Sequence, residues 1–249
     1  MITQIFLMFR YFFTALGNTK GQAMKYILYT GLIALILVSL MIWGTWNFAP
    51  WFGGQLTNLI PWEWAKHTIF FTILTATGIA WFFWIGMKYV LLILAGPMLS
   101  LVSEKLEKQM GTYNGMSGFS FTASAARTVR INMRNMLKEL SLTGVLFIGG
   151  LIPGLNIIVL ILLFLVQSYF AGFGIMDFYL ERHYTYRESV ALVYKQKWAA
   201  IALGAIFTLL FLIPIVGVLV APYLCTVAAT HYFIDRDKKA SPGPDIQSL

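Results

Sequence analysis

Apolar positions in this chain come in long runs without charge, and those runs predict its elements. Residues 26–48 form the first, bounded by Lys25. The hydrocarbon core of a bilayer is ~30 Å thick, and a helix needs about 20 apolar residues to cross it. This run therefore predicts one full span. A second span is predicted over residues 66–103, with its crossing part at Thr68–Met87. Lys88 is then expected to snorkel toward the headgroups, and a kink is expected at Gly96-Pro97. Residues 1–17 are apolar too, but Arg10 interrupts them and neither a charged start nor a small-residue cleavage site appears. They predict an interfacial helix rather than a leader. Residues 240–249, with their Ser-Pro-Gly-Pro, predict a disordered tail behind a single membrane domain of residues 1–239.

Two further runs, residues 140–176 and 198–234, are each 37 residues long without a formal charge. One straight helix of that length would measure ~55 Å, too long for one span, while two full spans with a turn need over 40 residues. Each run carries an interior Leu-Ile-Pro, ending at Pro153 and Pro214. Proline removes a backbone donor and clashes with the preceding turn. The expectation is two helical hairpins, each turning back at its proline and not necessarily crossing in full. Irregular backbone at depth must be satisfied by other protein or by water, so the hairpins should pack on each other, on the spans or on another subunit. The shared Leu-Ile-Pro fits an internal duplication, and equally the common use of Pro and Gly in hairpin loops.

Composition agrees with lipid as the main solvent. Apolar residues make up 59% of the chain and charged ones 11%, against about 25% charged in soluble domains. A water-soluble enzyme is excluded. The distribution of the +8 net charge says more than its size. Apart from Lys66 and Lys88, every cation lies in segments that this topology places on one side, with every acid except Glu63. The positive-inside rule makes that side cytoplasmic, with both termini there. Trp43, Trp46, Trp51, Trp62 and Trp64 flank the opposite loop, as an interfacial aromatic belt would. Cys225 sits among apolar neighbours and reads as a small buried hydrophobe.

Chemistry concentrates in few places. Over residues 123–139, Arg127, Arg130, Arg134 and Lys138 repeat at spacings of 3, 4 and 4, a single stripe on a helix, with Val129, Met133, Met136, Leu137 and Leu140 opposite. Three readings stay open for this basic amphipathic helix. It rests on anionic headgroups, it concentrates anions at the mouth of a path, or it pairs internally with Glu104, Glu107, Asp177 or Glu181. The turn before the first span holds Gly21, Gln22 and Lys25. Glycine lets an oxyanion approach backbone N–H groups, and a following helix start offers unpaired donors; the alternative is an ordinary turn with a boundary lysine. Asp177 and Glu181 share a helix face at i, i+4 and fit a structural partnership with the arginine stripe better than acid–base catalysis. Gly150 and Gly154 have the spacing that lets membrane helices approach closely, though Pro153 between them makes a hairpin tip the simpler account. His67, His183 and His231 are isolated, and no metal, hydrolase or phosphate-loop motif is present. No cofactor, no metal and no enzymatic activity are expected. The basic residues follow membrane boundaries, so nucleic-acid binding is not expected either.

Four stretches carry a resemblance. They are Ala95-Gly96-Pro97-Met98-Leu99-Ser100 running into Glu104 and Glu107; Arg127-Thr128-Val129-Arg130; Ile152-Pro153-Gly154 followed by Asp177, Glu181, Tyr186, Arg187 and Glu188; and Gly204, Ile213-Pro214, Pro222 and Ala229-Thr230 before Asp235-Arg236. In order and spacing, over roughly residues 10–237, the chain resembles the CysZ-type sulfate permeases. The resemblance implies an all-helical membrane protein with two full spans and two partly penetrating hairpins, assembled as a homo-oligomer in the bacterial inner membrane. It also implies passage of sulfate for sulfur assimilation, without ATP hydrolysis by this chain. Two departures stand out. The family's Gly-apolar-Arg-Arg before the first span reads Gly21-Gln22-Ala23-Met24-Lys25 here, one cation fewer, and the acid soon after its basic pair is Asn132.

The resulting expectation is an oxyanion permease. Gly21, Gln22, Lys25, Arg127 and Arg130 are its anion-binding candidates, and Pro97, Pro153, Gly154, Pro214, Asp177 and Glu181 its structural or gating candidates. The rival is a non-transporting protein that binds anionic lipid or scaffolds partners through the basic helix. An intramembrane enzyme ranks behind both.

Overall fold

The computed structural model describes residues 1–17, 23–58, 69–113, 121–150, 152, 154–213 and 216–240. Among them the chain forms eight α-helices and no strand. In order they are α1 (Ile2–Gly17), α2 (Ala23–Asn58), α3 (Ile69–Gln109), α4 (Phe121–Gly150), α5 (Asn156–His183), α6 (Tyr186–Lys195), α7 (Lys197–Phe211) and α8 (Val216–Ala240).

Three stretches are long and apolar enough to cross a membrane: Lys25–Asn47 in α2, Gly86–Gln109 in α3 and Asn156–His183 in α5. A fourth is reached if α6 and α7, bent by 88° at Gln196, count as one broken span. The chain is an all-helical membrane protein. Its outer surface agrees: Leu28, Leu32, Leu35, Ile36 and Leu40 line the exposed side of α2, and Ile157, Ile158, Leu160 and Ile161 surround the start of α5. Such a face is stable in lipid and costly in water.

The helices on either side of each Leu-Ile-Pro pack on one another, α4 on α5 and α7 on α8. Gly154 takes a left-handed φ of +90°, which glycine adopts without steric cost. Gly150 then sits against Val159 across the turn, and the Asn156 side-chain amide, oriented by its surroundings, reaches the carbonyls of Gly150 (2.8 Å) and Ile152 (3.1 Å). In the second hairpin the Gly217 amide donates to the Ile213 carbonyl at 3.1 Å, and a side chain at Gly217 would strike the Leu210 carbonyl. Pro153 and Pro214 themselves lie outside the described residues. The arms are unequal: α5 spans ~42 Å and α7 ~22 Å, the latter shorter than the hydrocarbon core. α4 runs unbroken from Phe121 to Gly150, so the expected basic helix and the first hairpin's leading arm are one element. α3 likewise runs 41 residues as one continuous helix that contains Pro97.

A close helix approach lies away from Gly150 and Gly154. α5 crosses α7 where Ser168 and Gly172 meet Ala200 and Gly204, each pair at i, i+4. A Cβ on Gly204 would fall 1.7 Å from the Ser168 carbonyl oxygen, and one on Gly172 1.9 Å from that of Ala200. Backbones this close need small residues on both sides. Around this crossing the buried core runs through Phe173, Leu203, Phe207, Leu224, Cys225 and Phe233. α1 docks on α7 and α8 through Gln4, which donates to Gln196 at 2.7 Å, and through Tyr11, which donates to Asp235 and stacks on His231 at 6.3 Å. Phe6, Phe9, Arg10, Phe13 and Thr14 line an open, largely apolar hollow of about 510 Å³ on the outside of α1.

Candidate functional site

At the end of the bundle where α3 and α5 finish and α4 begins, the interior is charged. Arg127 on α4 lays its guanidinium on Asp177 of α5, donating from Nε (3.2 Å) and Nη2 (2.9 Å). It also donates to the Tyr184 carbonyl at 2.6 Å and to Ser189 Oγ at 2.7 Å. This two-point geometry is the strong form of a charged hydrogen bond. Four residues on, Glu181 accepts from Ser100 of α3 and from Ser124 of α4, the latter at 3.0 Å to each oxygen. Next along α5, Arg182 lies 3.9 Å from the Glu181 carboxylate and shares Ser100 with it. It pairs with Glu107, donates to the Ser100 carbonyl (3.2 Å) and the Phe178 carbonyl (2.7 Å), and reaches Ser103, which accepts from Thr230 at 2.8 Å. The other Glu107 oxygen meets His183 Nε2 at 2.8 Å. Asp177, Glu181, Arg182 and Glu107 are all buried. Taking charges out of water costs several kcal/mol each unless they are paired, and here α3, α4, α5, α6 and α8 all supply partners.

Arg130, one turn along from Arg127, is exposed and lies 4.5 Å over the Tyr186 ring. Lys25 is exposed at the start of α2. Lys105 lies 5.2 Å over Tyr26, which brings that helix start to the same end as the Glu107 cluster. The structure thus gathers Lys25, Arg127, Arg130, Asp177 and Glu181 at one end. Gly21 and Gln22 lie outside the described residues, and Gly154 sits apart in its hairpin turn. Pro97 is half-buried in α3, one turn before Ser100; beside it Gly96 admits Thr128, which a Cβ there would meet at 2.6 Å.

Two groups were missed in the sequence. Lys88 does not snorkel. It is buried, and its Nζ donates to both oxygens of Glu139 at 2.6 and 2.7 Å, with the Tyr89 hydroxyl adding a third bond at 2.5 Å. Lys88 is a lone charge between apolar runs and Glu139 the last charge before one, a signal of pairing that names no partner. Nor is His183 isolated, as the Glu107 contact shows.

α4 has its polarity reversed relative to a soluble amphipathic helix. Ser124, Thr128, Asn132, Asn135, Glu139 and Thr143, spaced 4, 4, 3, 4 and 4, form its buried stripe, while Val129, Met133 and Leu137 are exposed. Several buried atoms in this region have no partner among the described residues: Thr128 Oγ1, Asn132 Oδ1, Asn135 Nδ2 and Thr143 Oγ1 on α4, and Gln167 Nε2 and Ser168 Oγ on α5. Each such group costs ~1–3 kcal/mol if it stays unpaired. Among the described residues no cluster of three or more His, Cys, Asp or Glu side chains is arranged to hold a metal ion.

Residues 11–222 match the family model described as "Sulfate transporter CysZ/Etoposide-induced protein 2.4". The chain belongs to that family. Among curated relatives it is 23% identical over 235 residues to a protein named Sulfate transporter CysZ from Pseudomonas aeruginosa, covering 88% of this chain and 95% of the relative. The same figures hold for a protein of that name from Pseudomonas paraeruginosa. One from Pseudomonas fluorescens is 28% identical over 150 residues, 59% of each chain. The family match covers the stretches that carried the resemblance up to Pro222, and with them the charged end of the bundle.

Proposed function

We propose that this chain is a bacterial inner-membrane permease that passes an inorganic oxyanion, sulfate first, for sulfur assimilation, without catalysing a reaction or needing a cofactor. What carries the reading is the near full-length similarity to proteins named sulfate transporter. The structure supports it with a lipid-facing exterior around an interior that holds charge at one end. Arg130 and Lys25 are among the exposed cations there and act as the first contacts of an arriving anion. A field of cations raises the local anion concentration. Arg127 spends its donors on Asp177, Tyr184 and Ser189, so its part is to fix the mouth and add to the field. Asp177 and Glu181 hold α4 against α5 and α3.

The basic stripe argues against a lipid-binding scaffold. Arg127 is turned to Asp177, Arg130 to Tyr186, and Arg134 to Asn135 and Phe173. Of the four stripe cations only Lys138 shows no such contact among the described residues. The charge bias of the sequence supports a cytoplasmic position for the cation-rich end and both termini, and we infer that the protein works as a homo-oligomer in the lipid. The direct test is radiolabelled sulfate flux into liposomes carrying the purified protein. Sulfate accumulation above that of empty liposomes is expected, with Lys25→Ala combined with Arg130→Ala lowering it several-fold. Flux no different from empty liposomes overturns the proposal.

A further inference from the structure

The charged end accounts for how an anion arrives, but not for how it crosses the apolar depth of the bundle. The buried stripe of α4 supplies that stretch. Ser124 to Thr143 covers 20 residues, ~28 Å of helix, close to the thickness of a hydrocarbon core. The stripe faces α3 and α5. A Cβ on Gly96 of α3 would meet both Thr128 and Phe178 of α5; Gly174 of α5 admits Asn132, and a Cβ there would lie 2.7 Å from its Oδ1; Lys88 and Tyr89 of α3 hold Glu139. Gln167 lies two turns before Gly174 on the same side of α5.

The chemistry along this seam is selective. Glu139 is neutralised by Lys88, which leaves no net charge at that level. Among the described residues, Thr128 Oγ1, Asn132 Oδ1, Asn135 Nδ2, Thr143 Oγ1 and Gln167 Nε2 remain without a partner. Two of these are N–H donors and two are hydroxyls able to donate. Buried polar groups of this kind are satisfied by water when protein does not reach them. Neutral donors also suit a passing oxyanion. They replace its hydration shell, yet hold it less tightly than arginine would, and conduction needs sites weak enough to leave.

We propose that the seam between α3, α4 and α5 is a hydrated stretch of the anion's path, lined by neutral N–H and O–H donors rather than by cations. The anion assignment rests on the transport reading above; the hydration does not.

Cysteine accessibility tests it in the full-length protein in liposomes. Cys225 is the only cysteine and is fully buried, so the unsubstituted protein serves as the blank. Thr128→Cys, Asn135→Cys and Thr143→Cys would be exposed to a small anionic methanethiosulfonate. Val129→Cys, Met133→Cys and Leu137→Cys, facing lipid, are the controls. The expected result is labelling at the three seam positions at least tenfold faster than at the controls, slowed several-fold by sulfate. Thr143→Cys is a small change near the hairpin end, so it keeps the test decisive if Asn135→Cys does not fold. Seam thiols that react no faster than the controls overturn the hydrated seam. Labelling that sulfate does not slow overturns the seam as the anion's path. Absence of sulfate flux by the unsubstituted protein is a separate measurement, and that result would overturn the transport reading instead.

Discussion

Removing Arg127 tests whether its guanidinium is part of the frame of the mouth. Its side chain and that of Asp177 are 15% and 4% exposed, and the guanidinium donates four hydrogen bonds. Arg127→Met strips Asp177 of its counter-charge and leaves it buried, which costs ~3–5 kcal/mol. For a domain of 150–250 residues, each kcal/mol moves the unfolding midpoint by roughly 2–4 °C. The single variant should therefore melt about 6–20 °C lower in detergent, followed by tryptophan fluorescence. Asp177→Asn alone removes the buried acid but strands the guanidinium, and should fall in the same direction. The double variant removes both charges. It should recover much of the loss, giving a coupling of ~2–3 kcal/mol. Sulfate flux read on the same four proteins separates frame from ligand. Flux that recovers with stability in the double variant marks Arg127 as a positioning residue; flux that stays lost marks direct action on the anion. An Arg127→Met protein that melts within ~1 kcal/mol of the parent refutes the reasoning, because no buried acid would then have been stranded.

The α5–α7 crossing gives a matched pair. Gly204→Ala places a Cβ into backbone and should destabilise by ~1–3 kcal/mol, whereas Gly144→Ala, with open space around it, should be neutral or stabilise by up to ~1 kcal/mol; equal melting shifts would refute the crossing. Lys88→Met should cost ~3–5 kcal/mol by stranding Glu139, and Lys88→Met with Glu139→Gln should regain most of it in the same melting assay. Burial, with the Asp235 hydrogen bond second, pushes the Tyr11 hydroxyl up to about 12. Its folded-state value is raised, so the contribution to docking α1 is fully present below about pH 10 and is lost as pH rises toward 12. Limited proteolysis of α1 should accelerate across that window, and Tyr11→Phe should remove the pH step. Thr185 and Glu188 cap α6 reciprocally, so Thr185→Ala should cost ~1 kcal/mol, read as a lower melting midpoint.

The membrane character of this chain is a property of its sequence. Charge-free runs of a given length admit few solutions in lipid, and the glycines and prolines of Ile152-Pro153-Gly154 and Ile213-Pro214 mark where a helix must turn. The apolar helical character of the described elements and the buried Cys225 were readable for that reason. The polar stripe of α4 was readable too, as Ser124, Thr128, Asn132, Asn135 and Glu139 recur at helical spacing. It was hidden behind the stronger cation stripe beside it. In water the charged side of a helix faces out and the apolar side in. In lipid the small polar groups turn inward, and periodicity alone does not say which solvent a face meets.

Pairing was decided only by the tertiary structure. Arg127 had four acids to choose from and took Asp177; Glu107 took Arg182 and His183; Glu139 took Lys88, 51 positions away. Sequence spacing fixes which residues share a helix face, but the partner of a buried charge depends on how helices cross. That crossing is set by where backbones can approach closely, as at Ser168, Gly172, Ala200 and Gly204. Small residues are common in membrane helices, so their presence does not reveal which of them meet. Only packing eight helices around one crossing selects the contacts, because each buried charge must find its counterpart within reach once the apolar surfaces have closed.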